Sequence, residues 1–317
     1  MTKILITGCA GFIGSNLVDR LLEKEALVVG VDNFNDYYDP EVKEDNLDMA
    51  NKNKRFKLYR CDILDLTRLS QIFKKEKPSK IVHLAARAGI RPSISDPVLY
   101  AEVNVLGTVN LLELSSQYRV SQFIFGSSSS VYGNSPNLPF AEDDLCQNIV
   151  SPYGASKRAA EIFVESFSKT HKMKSAILRF FSVYGPRGRP DMAIALFCDF
   201  IKSNQAITQY GEGNSSRDYT YIDDVVDGII NTLGKDFDFE TINLGNSHSV
   251  SLADLIKTIE KISGKKAAIK KMSSVPGDAA RTLAEISKAK KMINWVPHTP
   301  LEVGIKQYWN WLTAGKK

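Results

Sequence analysis

Lys3-Ile4-Leu5-Ile6-Thr7-Gly8-Cys9-Ala10-Gly11-Phe12-Ile13-Gly14 places a short apolar run before three glycines at GxxGxxG spacing, and an amphipathic stretch from Ser15 to Lys24 follows. That order predicts a strand, a tight turn and a helix. Gly8 suits the turn, Gly11 lets a pyrophosphate approach the backbone, and Gly14 permits close packing of helix on strand, with the helix N-terminus facing the phosphates. A glycine pattern alone is weak evidence, and its position directly after a strand is what makes it a dinucleotide-binding turn. The second apolar run, Leu27 to Val31, ends in Asp32, about twenty residues beyond the glycines, where a carboxylate accepts hydrogen bonds from an adenosine ribose and repels a 2'-phosphate. NAD is therefore expected rather than NADP, although a strand-end aspartate also caps ordinary turns.

Further along, Asn33 to Lys54 turns polar and charged, with Tyr37, Tyr38 and Pro40 near its start, and reads as a long excursion with one helical turn, a lid or a decorated loop. Arg55 to Arg60 resumes strand character and ends in Cys61-Asp62, where Asp62 is placed to hold an adenine amino group. Lys80 to Leu84 is the next strand. The small residues of His83-Leu84-Ala85-Ala86 leave space for a cofactor, and His83 itself reads as a packed strand-end histidine without a role. Asp96 and Pro97 supply the N-cap and first-turn proline of a long helix through Tyr118, on which Asn104 is a polar residue facing the cofactor.

Phe123-Ile124-Phe125 then runs into Gly126-Ser127-Ser128-Ser129-Ser130-Val131-Tyr132-Gly133, which sets hydroxyls at the carboxyl end of a strand. In a doubly wound sheet that is where ligands bind; taken alone, the stretch is also an ordinary serine-rich turn. Ser151-Pro152-Tyr153-Gly154-Ala155-Ser156-Lys157 puts a phenol and an ammonium four residues apart at a helix start. Such groups share one helical face, and a nearby cation is expected to lower the Tyr153 pKa and make it a usable base. In isolation the same spacing describes a half-buried tyrosine and a solvated lysine.

Ser175 to Phe181 gives another strand, after which Ser182 to Pro190 breaks the alternation. Gly211 to Arg217 reads as a polar loop, Tyr221 to Leu233 as a helix, and Thr241 to Leu244 as a strand returning to the main sheet. Ser251 with Asp254 forms a capping box for a helix Leu252 to Ile262, and Thr299-Pro300-Leu301-Glu302 a second for the final helix. Alternating strands and helices imply an α/β fold with a doubly wound parallel sheet of Rossmann type and a smaller C-terminal α/β substrate domain. The NAD-binding domain is expected over residues 1–181 plus a returning segment near 221–245, and a nucleotide-sugar-binding domain over 182–220 and 246–317.

The 317 residues are 43% apolar and 24% charged, an ordinary globular composition long enough for a full core. A net charge of +5 with no Lys/Arg block interleaved with aromatics offers no nucleic-acid track and leaves anionic small molecules compatible. Cys9, Cys61, Cys146 and Cys198 are scattered, with no CxxC pair and no histidine at ligand spacing, so no disulfide framework or metal site is expected. No apolar run approaches the ~20 residues of a membrane span, and Met1 to Thr7 leads straight into a strand, which leaves no signal peptide. Cytoplasmic localisation is the expectation.

An N-terminal GxxGxxG, a strand-end aspartate, a serine-rich strand end and YxxxK, in this order, resemble the extended short-chain dehydrogenase/reductase family over essentially the whole chain. In its nucleotide-sugar branch, Ser128, Tyr153 and Lys157 fall on catalytic positions. The resemblance places Gly8, Gly11, Phe12, Ile13, Gly14, Asp32, Asn33, Asp62, Ile63, Leu84, Ala85, Ala86 and Asn104, with Tyr153 and Lys157, around NAD. Val31 to Pro40 and Arg179 to Ala193, reading RFFSVYGPRGRPDMA, look most like UDP-glucuronate 4-epimerases, with UDP-glucose 4-epimerases next. It further implies Arg189 near the uracil end of a UDP-sugar, Arg217 and Arg281 near the pyrophosphate, Asp278 near the uridine ribose, and a homodimer through paired helices, Asp96 to Tyr118 and Tyr153 to Thr170.

Related 4,6-dehydratases carry Asp and Glu at the positions of Ser129 and Ser130, and related decarboxylases carry Glu at the latter. Without those carboxylates, elimination lacks its proton-transfer groups, which favours redox-neutral C4 epimerisation. The hydroxyls of Ser128, Ser129, Ser130 and Ser182 are expected to supply neutral donors to a C5 carboxylate. A UDP-glucose or UDP-N-acetylglucosamine 4-epimerase shares the same trio, and an NAD-dependent sugar-nucleotide oxidoreductase or a non-catalytic NAD sensor shares the glycines.

Overall fold

Short runs rich in Val, Ile, Leu and Phe, apolar on both faces, belong in a parallel sheet covered by helices on each side. In the computed structural model, which describes residues 2–272 and 281–315, they are β1 (Lys3–Thr7), β2 (Leu27–Asp32), β3 (Phe56–Arg60), β4 (Lys80–His83), β5 (Gln122–Ser128) and β6 (Lys174–Phe180). Three strands outside this set follow, β7 (Ser182–Tyr184), β8 (Ala206–Tyr210) and β9 (Ser216–Tyr221), before β10 (Phe239–Leu244) returns to pair with β6. The seven-stranded parallel sheet has the order β10-β6-β5-β4-β1-β2-β3, a Rossmann-type α/β fold. Its order reverses between β1 and β4, where a crevice opens beyond the strand ends.

β11 (Ser249–Ser251), β9 and β7 form a second small sheet, and β12 (Ala268–Met272) pairs with β8 in a third. Alternating side chains split the core between the two faces of the large sheet. Leu5, Val29, Ile81, Phe123 and Ile177 face one layer of helices. Ile6, Val28, Ile124, Leu178 and Ile242 face the other, and that apolar cluster continues into Phe197, Tyr219, Leu255 and Ile305 of the C-terminal elements.

Several local expectations need correction. Asn33 to Lys54 holds two short helices, Pro40–Asn46 and Asp48–Asn51, and buried Asn46 donates from Nδ2 to the Ala10 carbonyl at 3.0 Å, so the excursion is fastened to the glycine turn. The helix begun by Asp96 and Pro97 is interrupted by a π-helical turn, Glu102–Leu106, before continuing over Gly107–Gln117. Arg217 lies on β9 rather than in a loop, because the alternation through Tyr219 and Tyr221 extends the strand back to Ser216. The Ser251/Asp254 cap is present, with Asp254 N–H donating to Ser251 Oγ at 3.1 Å. The second box is not: the final helix, Leu301–Thr313, has Pro300 as N-cap without a side-chain cap, and the Thr299 N–H donates instead to the carboxylate of buried Asp224.

Candidate active site

The glycine turn is shaped by its neighbours. Gly8 has φ +69°, and a Cβ there would lie 2.7 Å from the Ala85 nitrogen at the end of β4. A Cβ on Gly14 would overlap the Gly8 carbonyl oxygen and sit 2.9 Å from Cys9 Cα, so only glycine lets the first helix, Phe12–Glu23, start this close to β1. That helix has Gly11 as N-cap with no side chain to satisfy its first N–H groups, which leaves them for an anion. Asp32 accepts from Ala10 N–H and Phe34 N–H; burial raises its pKa and these two bonds oppose the rise. Asn33 donates to Asp62 at 2.7 Å, and the Ile63 carbonyl accepts from Asn110. Leu84 and Ala85 are held through Thr7, which accepts from both backbone N–H groups, and Ala86 follows them at the crevice. The bare helix terminus and the glycine cradle fit the pyrophosphate of NAD, and Asp32 with Asn33 and Asp62 fits its adenosine half.

Ser151 caps the helix Pro152–His171 by accepting the Gly154 N–H at 3.1 Å, and this places Tyr153 in the first turn. Tyr153 faces the end of β5, where its phenol is hydrogen-bonded to Ser128. Burial raises the Tyr153 pKa, while the Ser128 bond and the charge of Arg189 lower it. The expected assistance from Lys157 takes another form: buried Lys157 donates from Nζ to the Gly126 carbonyl at 2.7 Å. Burial pushes its own pKa down to about 7, against the pull of Glu161. Ser128 Oγ accepts the Ser130 N–H at 3.2 Å and donates to Ser130 Oγ at 3.1 Å, which folds the serines into a compact turn.

A cavity of about 800 Å³ opens above this pair. Its walls include Phe12, Ile13, Ser128, Ser129, Ser130, Tyr153, Ser182, Arg189, Arg217 and Thr282. Arg189 lines the same cavity, and its charge bears on the Tyr153 phenol. Asp191 holds it in a bidentate pair at 2.9 and 2.7 Å. Arg281 is exposed, and its backbone bridges to Ser216 next to Arg217, which brings the two arginines onto adjoining backbone. Asp278 lies outside the described residues. Asn104 is buried, and its amide accepts the Arg87 N–H and donates to the Arg87 carbonyl and Ser156 Oγ. His83 is a satisfied core histidine between Thr7 and Thr108, with its pKa pushed down to about 3 by burial and Lys157.

Sequence reasoning missed Tyr37 and Asp191. The Tyr37 hydroxyl donates to Asp191 at 3.3 Å, and the guanidinium of Arg189 lies 5.5 Å from its ring centroid. The only sequence signal was a pair of tyrosines in a polar stretch. Among the described residues lining the cavity, Asp191 is the sole carboxylate, and it is closed against Arg189.

A family model described as GDP-mannose 4,6 dehydratase matches residues 5–308. The chain is 41% identical to a UDP-glucuronate 4-epimerase of Thermodesulfobacterium geofontis, across 98% of this chain and 96% of that one. The crystal structure of UDP-glucuronic acid 4-epimerase from Bacillus cereus, in complex with UDP-glucuronic acid and NAD, is similar at 36% identity with a TM-score of 0.94, covering 99% of each chain. A UDP-glucose 4-epimerase of Thermotoga maritima, with UDP-glucose, is similar at 30% identity with a TM-score of 0.90, covering 100% of each. With this breadth of match, the chain belongs to the GDP-mannose 4,6 dehydratase family of extended short-chain dehydrogenase/reductases.

Proposed function

We propose that the protein is an NAD-dependent UDP-sugar 4-epimerase that interconverts UDP-glucuronate and UDP-galacturonate through a 4-keto sugar. One observation carries the reading: a tyrosine–serine pair opens onto a cavity that supplies hydroxyls and cations, and whose sole described carboxylate is already paired. The cations suit an anionic nucleotide sugar. The absence of a free carboxylate beside Ser129 and Ser130 leaves elimination and decarboxylation without a proton-transfer group. The relatives named for UDP-glucuronate support this substrate over UDP-glucose.

NAD, when bound at the glycine turn, supplies the reversible hydride acceptor. The chain's own residues handle the proton and the orientation. Tyr153 Oη takes the proton of the sugar 4-hydroxyl and later returns it, and Ser128 Oγ orients that hydroxyl. Lys157, anchored on the Gly126 carbonyl, stands one helical turn behind the phenol. Ser129, Ser130 and Ser182 hold the C5 carboxylate by neutral donation, while Arg217 and Arg281 attract the pyrophosphate. The cavity leaves the keto sugar room to present its opposite face before the proton returns.

We also read the chain as two parts, an NAD-binding unit over 1–181 and 221–245 and a sugar-nucleotide unit over the remainder, working as a cytoplasmic homodimer. Exposed Val98 and Leu106 on one helix, and Ile162 and Phe163 on the neighbouring one, support the dimer. Four buried free thiols support a reducing compartment. The test is incubation with UDP-glucuronate, UDP-glucose and UDP-N-acetylglucosamine without added NAD, followed by product separation. Conversion of UDP-glucuronate is expected. Conversion of none, or NADH accumulating in step with substrate, sinks the epimerase reading, and faster turnover of UDP-glucose assigns the neutral sugar.

A further inference from the structure

Beneath the catalytic pair lies a polar cluster that the reaction as described does not use. Tyr153, Lys157 and Glu161 recur every four residues along the helix Pro152–His171, so they form one stripe facing β5. Each reaches a different residue of that strand end. Tyr153 meets Ser128, Lys157 meets the Gly126 carbonyl, and Glu161 Oε1 accepts from Ser127 Oγ at 2.6 Å. Ser127 is paired in register with Arg179 on β6, and the two side chains converge on the same carboxylate. Arg179 donates from Nε to Oε1 at 3.0 Å and from Nη2 to Oε2 at 2.9 Å, and Arg158 donates to Oε2 at 3.0 Å.

The pair is sealed: Glu161 is 0% and Arg179 2% exposed. From its other edge Arg179 donates to the Tyr132 hydroxyl, which donates in turn to Asn243 of β10. Tyr132 sits just past the serine turn, so the cluster grips that turn from both ends. A buried ion pair of this kind is seldom worth more to stability than well-packed apolar residues, so its presence calls for another explanation.

Ser127 and Ser128 are consecutive on β5 and both border the cavity, so holding the Ser127 side chain on Glu161 fixes the strand end that carries Ser128. We infer that Glu161 is a positioning residue for the epimerase reaction, holding Ser128 in hydrogen-bonding register with Tyr153 through the side chain of Ser127. The inference rests on the function proposed above. The groups facing the phenol are Ser128 from β5, Arg189 and Tyr37 from the sugar end and Tyr100 from the Pro97 helix, while Lys157 of its own helix is turned to the Gly126 carbonyl. Of these, Ser128 is the one whose place depends on Ser127.

Two variants test it beside the wild type. Ser127→Ala deletes one hydrogen bond and leaves the ion pair intact, and Glu161→Gln with Arg179→Met removes both charges together. Each is read by kcat and KM, by melting temperature, and by spectrophotometric titration of the Tyr153 phenol against a Tyr153→Phe blank. Ser127→Ala is expected to keep its melting temperature and KM, lose about tenfold or more in kcat through misplacement, and titrate its phenol at higher pH. The double variant, where folded, is expected to show the same split. Wild-type kcat and phenol titration in Ser127→Ala, or in a folded double variant, overturns the inference; if the double variant fails to fold, Ser127→Ala decides alone. A wild type that converts no UDP-sugar sinks the proposed function instead, and the phenol titration still reports on Ser127.

Discussion

Replacing Gly11 and Gly14 separately by alanine pulls apart two jobs that the glycine turn performs together. At Gly14 the three atoms nearest the added methyl are all backbone, the Gly8 carbonyl oxygen and carbon and Cys9 Cα, and none of these can rotate away. Overpacking costs about 1–3 kcal/mol, and rigid backbone puts this site at the upper end, which for a chain of 317 residues corresponds to a fall of about 3–5 °C in melting temperature. At Gly11 the backbone is φ −74° and ψ 178°, open to any residue, and the methyl would lie 3.3 Å from the Gly8 oxygen. The reduced freedom of the unfolded chain, worth about 0.4–1 kcal/mol, offsets that mild crowding, so the melting temperature should move by less than about 2 °C. The methyl does project where the phosphates must approach, and NAD affinity should fall about tenfold or more. Melting is measured on NAD-free protein, because bound ligand raises it by mass action. Binding is measured by calorimetric titration with NAD. A Gly14→Ala protein that melts with the wild type refutes the packing argument. A Gly11→Ala protein that binds NAD normally refutes the phosphate cradle.

Tyr153→Phe removes the proton acceptor and should lower kcat by about 10²–10⁴-fold while UDP-glucuronate binding, read by calorimetry, stays near wild type. Lys157 has a folded pKa of about 7 against an unfolded 10.5, so the unfolded chain holds the proton more tightly between them. Its contribution to stability is present above 10.5, is lost as pH falls toward about 7, and is flat below that. Lys157→Met should therefore gain melting temperature relative to wild type across that window, and a difference independent of pH would contradict the buried-ammonium account. Ser129→Ala with Ser130→Ala should erode the preference for UDP-glucuronate over UDP-glucose in competition assays. An unchanged preference would remove these hydroxyls from carboxylate recognition.

The successive strands, the glycine turn and the start of the Pro152 helix were legible because each depends on neighbours in sequence: an apolar run, a glycine spacing, a serine followed by proline. What escaped depends on partners distant in the chain. The Tyr153 phenol was expected to be pulled down by Lys157, yet burial dominates and Lys157 is turned to the Gly126 carbonyl. Neither effect is visible without knowing what covers the site. Thr299 looked like a cap until Asp224, far earlier in the chain, took its N–H. The bidentate pair of Arg189 with Asp191 and the reach of its charge to Tyr153 could not be read from the motif, which gives no direction. Glu161 carried a usable signal, one helical turn past Lys157, but its meaning required Arg179 and Ser127 on two adjacent strands.

The late return of β10 to the sheet has a consequence for synthesis on the ribosome. By residue 181 Ser128, Tyr153 and Lys157 have all been made, but the outer edge of β6 is still bare and Tyr132 has no Asn243 to receive its hydroxyl. The Phe140 backbone also waits for Leu283 and Glu285. A nascent chain halted before these residues presents a row of unpaired N–H and C=O groups on an apolar strand, the kind of edge that recruits other chains. The serine turn is thus translated early and locked late, so C-terminal truncations should damage it without touching a single residue of the cavity's catalytic end.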